Sequence, residues 1–99
     1  MLAAMMSDAR GVLSARGRAE LVDAIRWART RGELVSPFRW IYLAPDADHA
    51  TLARALAAAD PDAVATGPTA AYLHGWTPDP PGAVTAASKL RSRPGYALE

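Results

Sequence analysis

From Arg18 to Leu43 a helical pattern stops at a glycine and runs straight into two short strand-forming runs, and no other stretch constrains the fold as much. Leu21, Ile25 and Ala28 recur at i, i+4 and i+7 with Val22 adjoining, which draws one apolar face along a helix over 18–31. Gly32 caps its C-terminus, and Arg29 and Arg31 fall in the last turn, where cations suit the helix dipole. Glu33 to Val35 and Trp40 to Leu43 are rich in strand formers, and Ser36-Pro37-Phe38-Arg39 between them predicts a turn. A helix followed at once by such a hairpin is the arrangement of a winged helix-turn-helix, which sets a recognition helix against DNA.

The charge distribution points the same way. Seven arginines face three acids from Arg10 to Arg39, a local +4, whereas from Trp40 onward four cations face six acids, a local −2. Such asymmetry suggests a nucleic-acid-facing part and a part employed differently. Arg26, Thr30 and Arg31 point away from the apolar stripe, Arg16 and Arg18 stand where the helix begins, and Arg39 is placed at the hairpin tip. Glu20, Asp23 and Trp27 share the outer face, and Asp23 is at pairing distance along the helix from Arg26. Two readings therefore stay open: an arginine face that meets DNA, or one that is solvated and paired with its own acids.

At 99 residues the chain is one small domain, or one domain and the start of another. Half of it is apolar, but much of that is alanine, which buries little area, so a thin core is expected. A partner or a second copy would cover further surface. The alanine, arginine and proline bias fits a GC-rich bacterial gene. Absence of cysteine excludes disulfides and thiolate metal sites and accords with a cytoplasmic location. No apolar run approaches the roughly 20 residues of a membrane span, and the N-terminus lacks the form of a signal peptide. The final Leu98-Glu99 reads as a vector-derived end, which would make the chain a piece of a longer protein.

Along the rest of the chain, Leu2 to Arg10 predicts a short helix ended by Gly11, and Val12-Leu13 a brief strand or packed turn. Asp48 predicts the cap of a helix from His49 to about Ala59, with Leu52, Ala55, Leu56 and Ala59 on one face. Ala63-Val64-Ala65 is a short apolar stretch. Thr66 or Gly67 opens a second short helix with Pro68 near its start and Gly75 past its end. Ala83 to Ser88 and Tyr96 to Leu98 read as strands around a basic loop, Lys89 to Arg93. The predicted class is α+β: an abbreviated winged helix-turn-helix over 1–45, then a helical and short-strand α/β extension over 46–99.

Catalytic chemistry finds no support in the residue pattern. His49 and His74 have no ligand-spaced partners, so neither a metal nor another cofactor is expected. The pairs Asp46/Asp48 and Asp60/Asp62 bracket helix ends and read as caps, with His74 as a packed or capping residue. The serines lie in no nucleophile motif, and no phosphate-binding glycine loop is present. Trp40 and Tyr72 are expected in the core. Trp27, Tyr72 and Trp76 are the candidate partner-binding aromatics.

Three stretches in order resemble the AbiEi family of antitoxins, from an abortive-infection type of toxin–antitoxin system. They are Ala24-Ile25-Arg26 through Arg31-Gly32-Glu33-Leu34-Val35 to Ile41-Tyr42-Leu43-Ala44-Pro45; Thr66-Gly67-Pro68-Thr69-Ala70-Ala71-Tyr72-Leu73-His74-Gly75-Trp76; and Pro78 to Thr85 followed by Lys89 to Gly95. The resemblance implies a winged-helix part that represses its own promoter and a following part that counters a nucleotidyltransferase-like toxin. It implies Arg26, Arg29, Arg31 and Arg39 as DNA-facing residues, although the helical wheel sets Arg29 nearer the buried face. The chain departs from the family pattern in two places. About twenty residues separate Ser14 from Leu34, too few for two full helices, and Trp40 stands where the family often has a glycine. The expected partners are thus a cognate toxin and promoter DNA, with no membrane. The alternatives are a plain winged-helix transcriptional regulator, the DNA-binding module of a longer protein, or the N-terminal piece of a nuclease.

Overall fold

The computed structural model of the chain describes residues 11–99; the helix expected over 2–10 lies outside them. Among the described residues the architecture is α+β, with three helices and two small sheets. Strand β1 (Leu13–Ser14) is followed by a 3-10 turn at Ala19–Leu21, helix α1 (Val22–Thr30) and the hairpin β2 (Val35–Phe38) and β3 (Ile41–Leu43). Helix α2 (His49–Ala59), strand β4 (Val64–Ala65), helix α3 (Gly67–Leu73) and strands β5 (Val84–Ala87) and β6 (Tyr96–Leu98) complete it. The first sheet has the order β1-β3-β2 and is antiparallel throughout. The second has the order β4-β5-β6, with β4 antiparallel and β6 parallel to β5.

The single helix expected over 18–31 divides. Leu21 N–H bonds the carbonyl of Arg18 in a tight i→i+3 turn, and regular α-helix begins only at Val22. Neither Arg18 nor Leu21 offers a side-chain cap, so nothing holds the first turn in α geometry. Gly32 ends the helix as expected, at φ 74°. Val22, assigned to the apolar face, is instead 48% exposed.

The hairpin is also corrected. Its tip is Arg39-Trp40, not Ser36 to Arg39, because Phe38 pairs with Ile41 and Val35 with Leu43. That register leaves one extra residue on β2, a bulge that takes up Pro37 on an edge strand, where its missing N–H breaks no ladder bond. The turn position expected of Pro37 yields to Phe38, which is 3% exposed and anchored in the core. Trp40, expected in the core, is 41% exposed and stands at φ 69°, the one described non-glycine residue with positive φ. Its carbonyl accepts from Ala15 N–H at 2.8 Å, which ties the tip back to the residue after β1.

Two apolar clusters hold the chain. The smaller joins Leu13, Ala15, Leu21, Ile25, Ala28 and Leu34 beneath α1. The larger draws on both sides of residue 45: Val12, Phe38, Ile41 and Leu43 meet Ala55 and Leu56 of α2 and Val84, Ala86 and Tyr96 of the second sheet. Helix α2 starts as predicted, Thr51 N–H donating to Asp48 Oδ1 at 2.9 Å, and lies against β2, β3 and β5. Tyr96 links the halves through its ring, which meets Phe38 edge-on at 4.8 Å, while its hydroxyl donates to the Leu52 carbonyl of α2 at 2.7 Å. Arg93 adds a second tie, donating to the Pro37 carbonyl at 2.6 Å with its guanidinium 4.5 Å over the Phe38 ring.

Candidate nucleic-acid interface

A groove of about 740 Å³ runs between α1 and the hairpin. Arg18, Arg26, Arg29 and Thr30 line it from the helix side, Trp40 and Tyr42 from the hairpin, over a floor that includes Ala15, Val22 and Ile25. No carboxylate is among its lining residues. The helical period explains this. Val22, Arg26 and Arg29 stand three or four residues apart and share one flank of α1, while Asp23 and Trp27 fall on the next. Alternation along β3 buries Ile41 and Leu43 and turns Tyr42, half-buried, the other way.

The arginines are held to different degrees. Arg18 Nε donates to Glu20 Oε1 at 2.8 Å, and that bond keeps the Glu20 carboxyl below its ordinary range. Arg26 sits 3.7 Å from Asp23 in a loose pair whose members are 72% and 87% exposed, so water screens most of the attraction. Thr30 Oγ1 donates to the Arg26 carbonyl, spending its hydroxyl on the backbone. Arg29, which the helical wheel set nearer the buried face, is exposed, with its guanidinium 5.8 Å over the Tyr42 ring. Arg39 lies outside the lining and covers its neighbour, 5.2 Å over the Trp40 ring.

Thus Arg18, Arg26 and Thr30 come together, Arg29 joins them, and Arg39 stands at the adjoining tip. Arg31 does not join: it turns to Glu33 at 3.1 and 3.2 Å, a pair that spacing along the helix did not reveal because Glu33 lies beyond the glycine cap. Trp27 is 61% exposed on α1 but faces away from the groove.

The other two aromatics lie in α3 and just past its end. Tyr72 is half-buried, its ring edge-on to His49 at 5.3 Å, while Trp76 is 76% exposed and stacked on His74 at 5.1 Å. Leu73 beside them is also exposed, so α3 ends in a small apolar patch. His74 is the C-cap of α3.

Sequence reasoning missed three polar arrangements. His49 is buried, and its Nε2 has no hydrogen-bond partner among the described residues; burial lowers its pKa from 6.5, against the opposing pull of Asp48. Asp60 is 2% exposed, takes the Ser88 hydroxyl at 2.7 Å and Asp62 N–H at 3.1 Å, and is held below the usual carboxylate range chiefly by Ser88. Thr69 and Thr85 exchange bonds, each backbone N–H donating to the other's hydroxyl, and the Thr85 hydroxyl donates on to the Thr66 carbonyl. Strand β5 thereby supplies the cap that Thr66 was expected to give α3, whose own hydroxyl makes no such bond.

Among the described residues, no three His, Cys, Asp or Glu side chains gather as a metal ion would require, and no helix is long and apolar enough to cross a membrane. Comparison with protein-family models, with curated proteins and with solved structures finds no match to this chain.

Proposed function

We propose that this chain is an antitoxin of the AbiEi type whose first half is an abbreviated winged helix that binds duplex DNA. The observation that carries the DNA reading is the groove: three arginines and two aromatics converge between a helix and a hairpin, with Glu20 and Asp23, the acids beside Arg18 and Arg26, outside its lining. The topology supports the winged-helix reading. A short first strand pairs with the second strand of a hairpin, in the order β1-β3-β2, and α1 intervenes between β1 and that hairpin. The 3-10 turn at Ala19–Leu21 stands where the supporting helix is expected. On this reading Arg26 and Arg18 contact phosphates, Arg39 reaches the backbone from the tip, and Thr30 borders a groove of the duplex.

The neutralising role rests on the family resemblance and on the exposed Leu73 and Trp76, apolar groups suited to anchor a protein partner. Two measurements test the proposal. In a gel-shift titration the full chain retards duplex DNA from upstream of its own gene, and Arg26→Ala lowers the salt slope of binding by about 1. Co-expression with the neighbouring gene product restores growth and yields a co-purifying complex, which Trp76→Ala weakens. Retardation without rescue leaves a plain winged-helix regulator; loss of both removes the proposal.

A further inference from the structure

Trp40 stands at φ 69° as the second residue of the hairpin tip, a turn position that favours glycine over a bulky indole. A left-handed backbone is costly for a residue with a large side chain, and here the turn imposes it. The Trp40 ring gains little burial in return, remaining 41% exposed on the wall of the groove. Tyr42 lies on the same wall, and Arg29 and Arg39 each set a guanidinium against one of the two rings. Flat aromatic walls, flanking cations and a lining free of carboxylates suit a ligand that is both anionic and planar. The groove volume, about 740 Å³, falls within the roughly 300–1,000 Å³ of small-ligand sites, room enough for a nucleotide unit.

We infer that the groove binds unpaired nucleotides, a base stacking on Trp40 while the strand's phosphates meet Arg18, Arg26 and Arg29. This deepens the nucleic-acid reading of the same groove. It adds a single-stranded ligand to the duplex and assigns Trp40 as a stacking platform. Duplex binding uses phosphates on the outside of paired bases and has no need of an exposed indole, so the two can be separated at one residue.

The test uses the full chain in a background of Trp27→Phe and Trp76→Phe, which leaves Trp40 as the sole indole. Twelve-residue oligo-dT, oligo-rU of the same length, a mixed-sequence duplex and inorganic polyphosphate are titrated at low salt. Quenching of Trp40 by oligo-dT or oligo-rU, and none by polyphosphate, is expected; the tighter of the two tells which strand type the groove prefers. Trp40→Gly removes the ring at a φ that glycine adopts freely, and Trp40→Phe retains a stacking face. The glycine variant should bind the unpaired strand about tenfold or more weakly in fluorescence anisotropy, with the phenylalanine variant close to the parent and duplex binding little changed. Equal loss of duplex and single-strand binding in Trp40→Gly, or no loss in either, overturns the inference and leaves the duplex reading standing. Absence of binding to any nucleic acid overturns both.

Discussion

The two halves of the molecule treat their polar groups in opposite ways. Around α1 the ionic contacts are exposed: Arg18–Glu20, Arg26–Asp23 and Arg31–Glu33 all lie in solvent. Where α3 meets the second sheet the polar contacts are partly or wholly buried and mostly neutral, Thr66–Thr69–Thr85 above all, with Asp60–Ser88 beside them. Exposed pairs contribute little stability and stay free to exchange partners, whereas buried hydrogen bonds are costly to break. The first half thus leaves its charge in solvent, and the second half uses its polar groups to fix the fold.

Truncation of core leucines probes this contrast most strongly. Leu21 and Leu43 are each 1% exposed, but Leu21 sits in the small cluster under α1 and Leu43 in the larger one that joins both halves. Each change to alanine should cost about 2–5 kcal/mol. In Leu43→Ala the loss should appear in every probe of denaturant unfolding. In Leu21→Ala, hydrogen exchange should rise first over 19–34 while β5 stays protected. If both variants lose protection uniformly, the halves are one cooperative unit and the contrast is confined to their surfaces.

Next in size is the threonine network. Thr85→Val keeps the shape but strands Thr69 N–H and leaves the Thr66 carbonyl with only the Ala70 N–H, a loss of about 1–3 kcal/mol in a urea titration. Tyr96→Phe should cost less, about 1 kcal/mol, since it removes only the bond to the Leu52 carbonyl. The phenol adds a signature in pH, because burial raises its pKa to about 12 from 10.0. The unfolded chain releases that proton first, so parental stability falls as pH rises through this interval. The phenylalanine variant lacks the fall; an unchanged alkaline limb would show that Tyr96 is not the group responsible.

Local signals in the sequence carried the elements, and long-range ones did not. The Asp48 cap, the Gly32 stop and the apolar face of α2 follow from neighbours in the chain, so they were legible. The hairpin tip moved because its register answers to Phe38 in a core built from residues far along the chain. The cap of α3 comes from Thr85, 16 residues beyond Thr69, and no spacing rule points to it. Of the interface, the exposed arginines of α1 could be read from periodicity. The company of Tyr42 and the exposure of Trp40 required the tip to be placed first. The φ of 69° at Trp40 follows from its place at the tip, and no local signal in the sequence marks it.

His49 offers a subtler contrast between acid groups and a buried imidazole. Its pKa is depressed by burial, so the unfolded chain takes up a proton near 6.5 before the folded chain does. Stability is therefore full above that value and declines as pH falls from 6.5 toward the depressed folded pKa. Asp48 and Asp60, held low by hydrogen bonds, act in a separate and more acidic window, where stability is lost as pH falls through their folded pKa values. His49→Gln should flatten the neutral-to-mildly-acidic limb and leave the strongly acidic one. Thermal melts across pH check this, and a variant whose upper limb matches the parent would assign that limb elsewhere.

The smallest change in stability should come from Asp23→Asn, yet it bears most directly on how the first half is employed. The Asp23–Arg26 pair is long and exposed, so neutralising the acid should shift unfolding by less than about 0.5 kcal/mol. The same change removes a negative charge next to the groove and releases Arg26. Affinity for nucleic acid should therefore rise, by roughly two- to fivefold at low salt, and the gain should shrink toward about 0.15 M, where the Debye length is ~8 Å. An acid that is there to pair with arginine for structure would give the reverse pattern, a measurable loss of stability with no gain in affinity. Measuring both quantities on one variant thus decides whether the arginine face is a ligand surface tempered by its own acids or a solvated helix face.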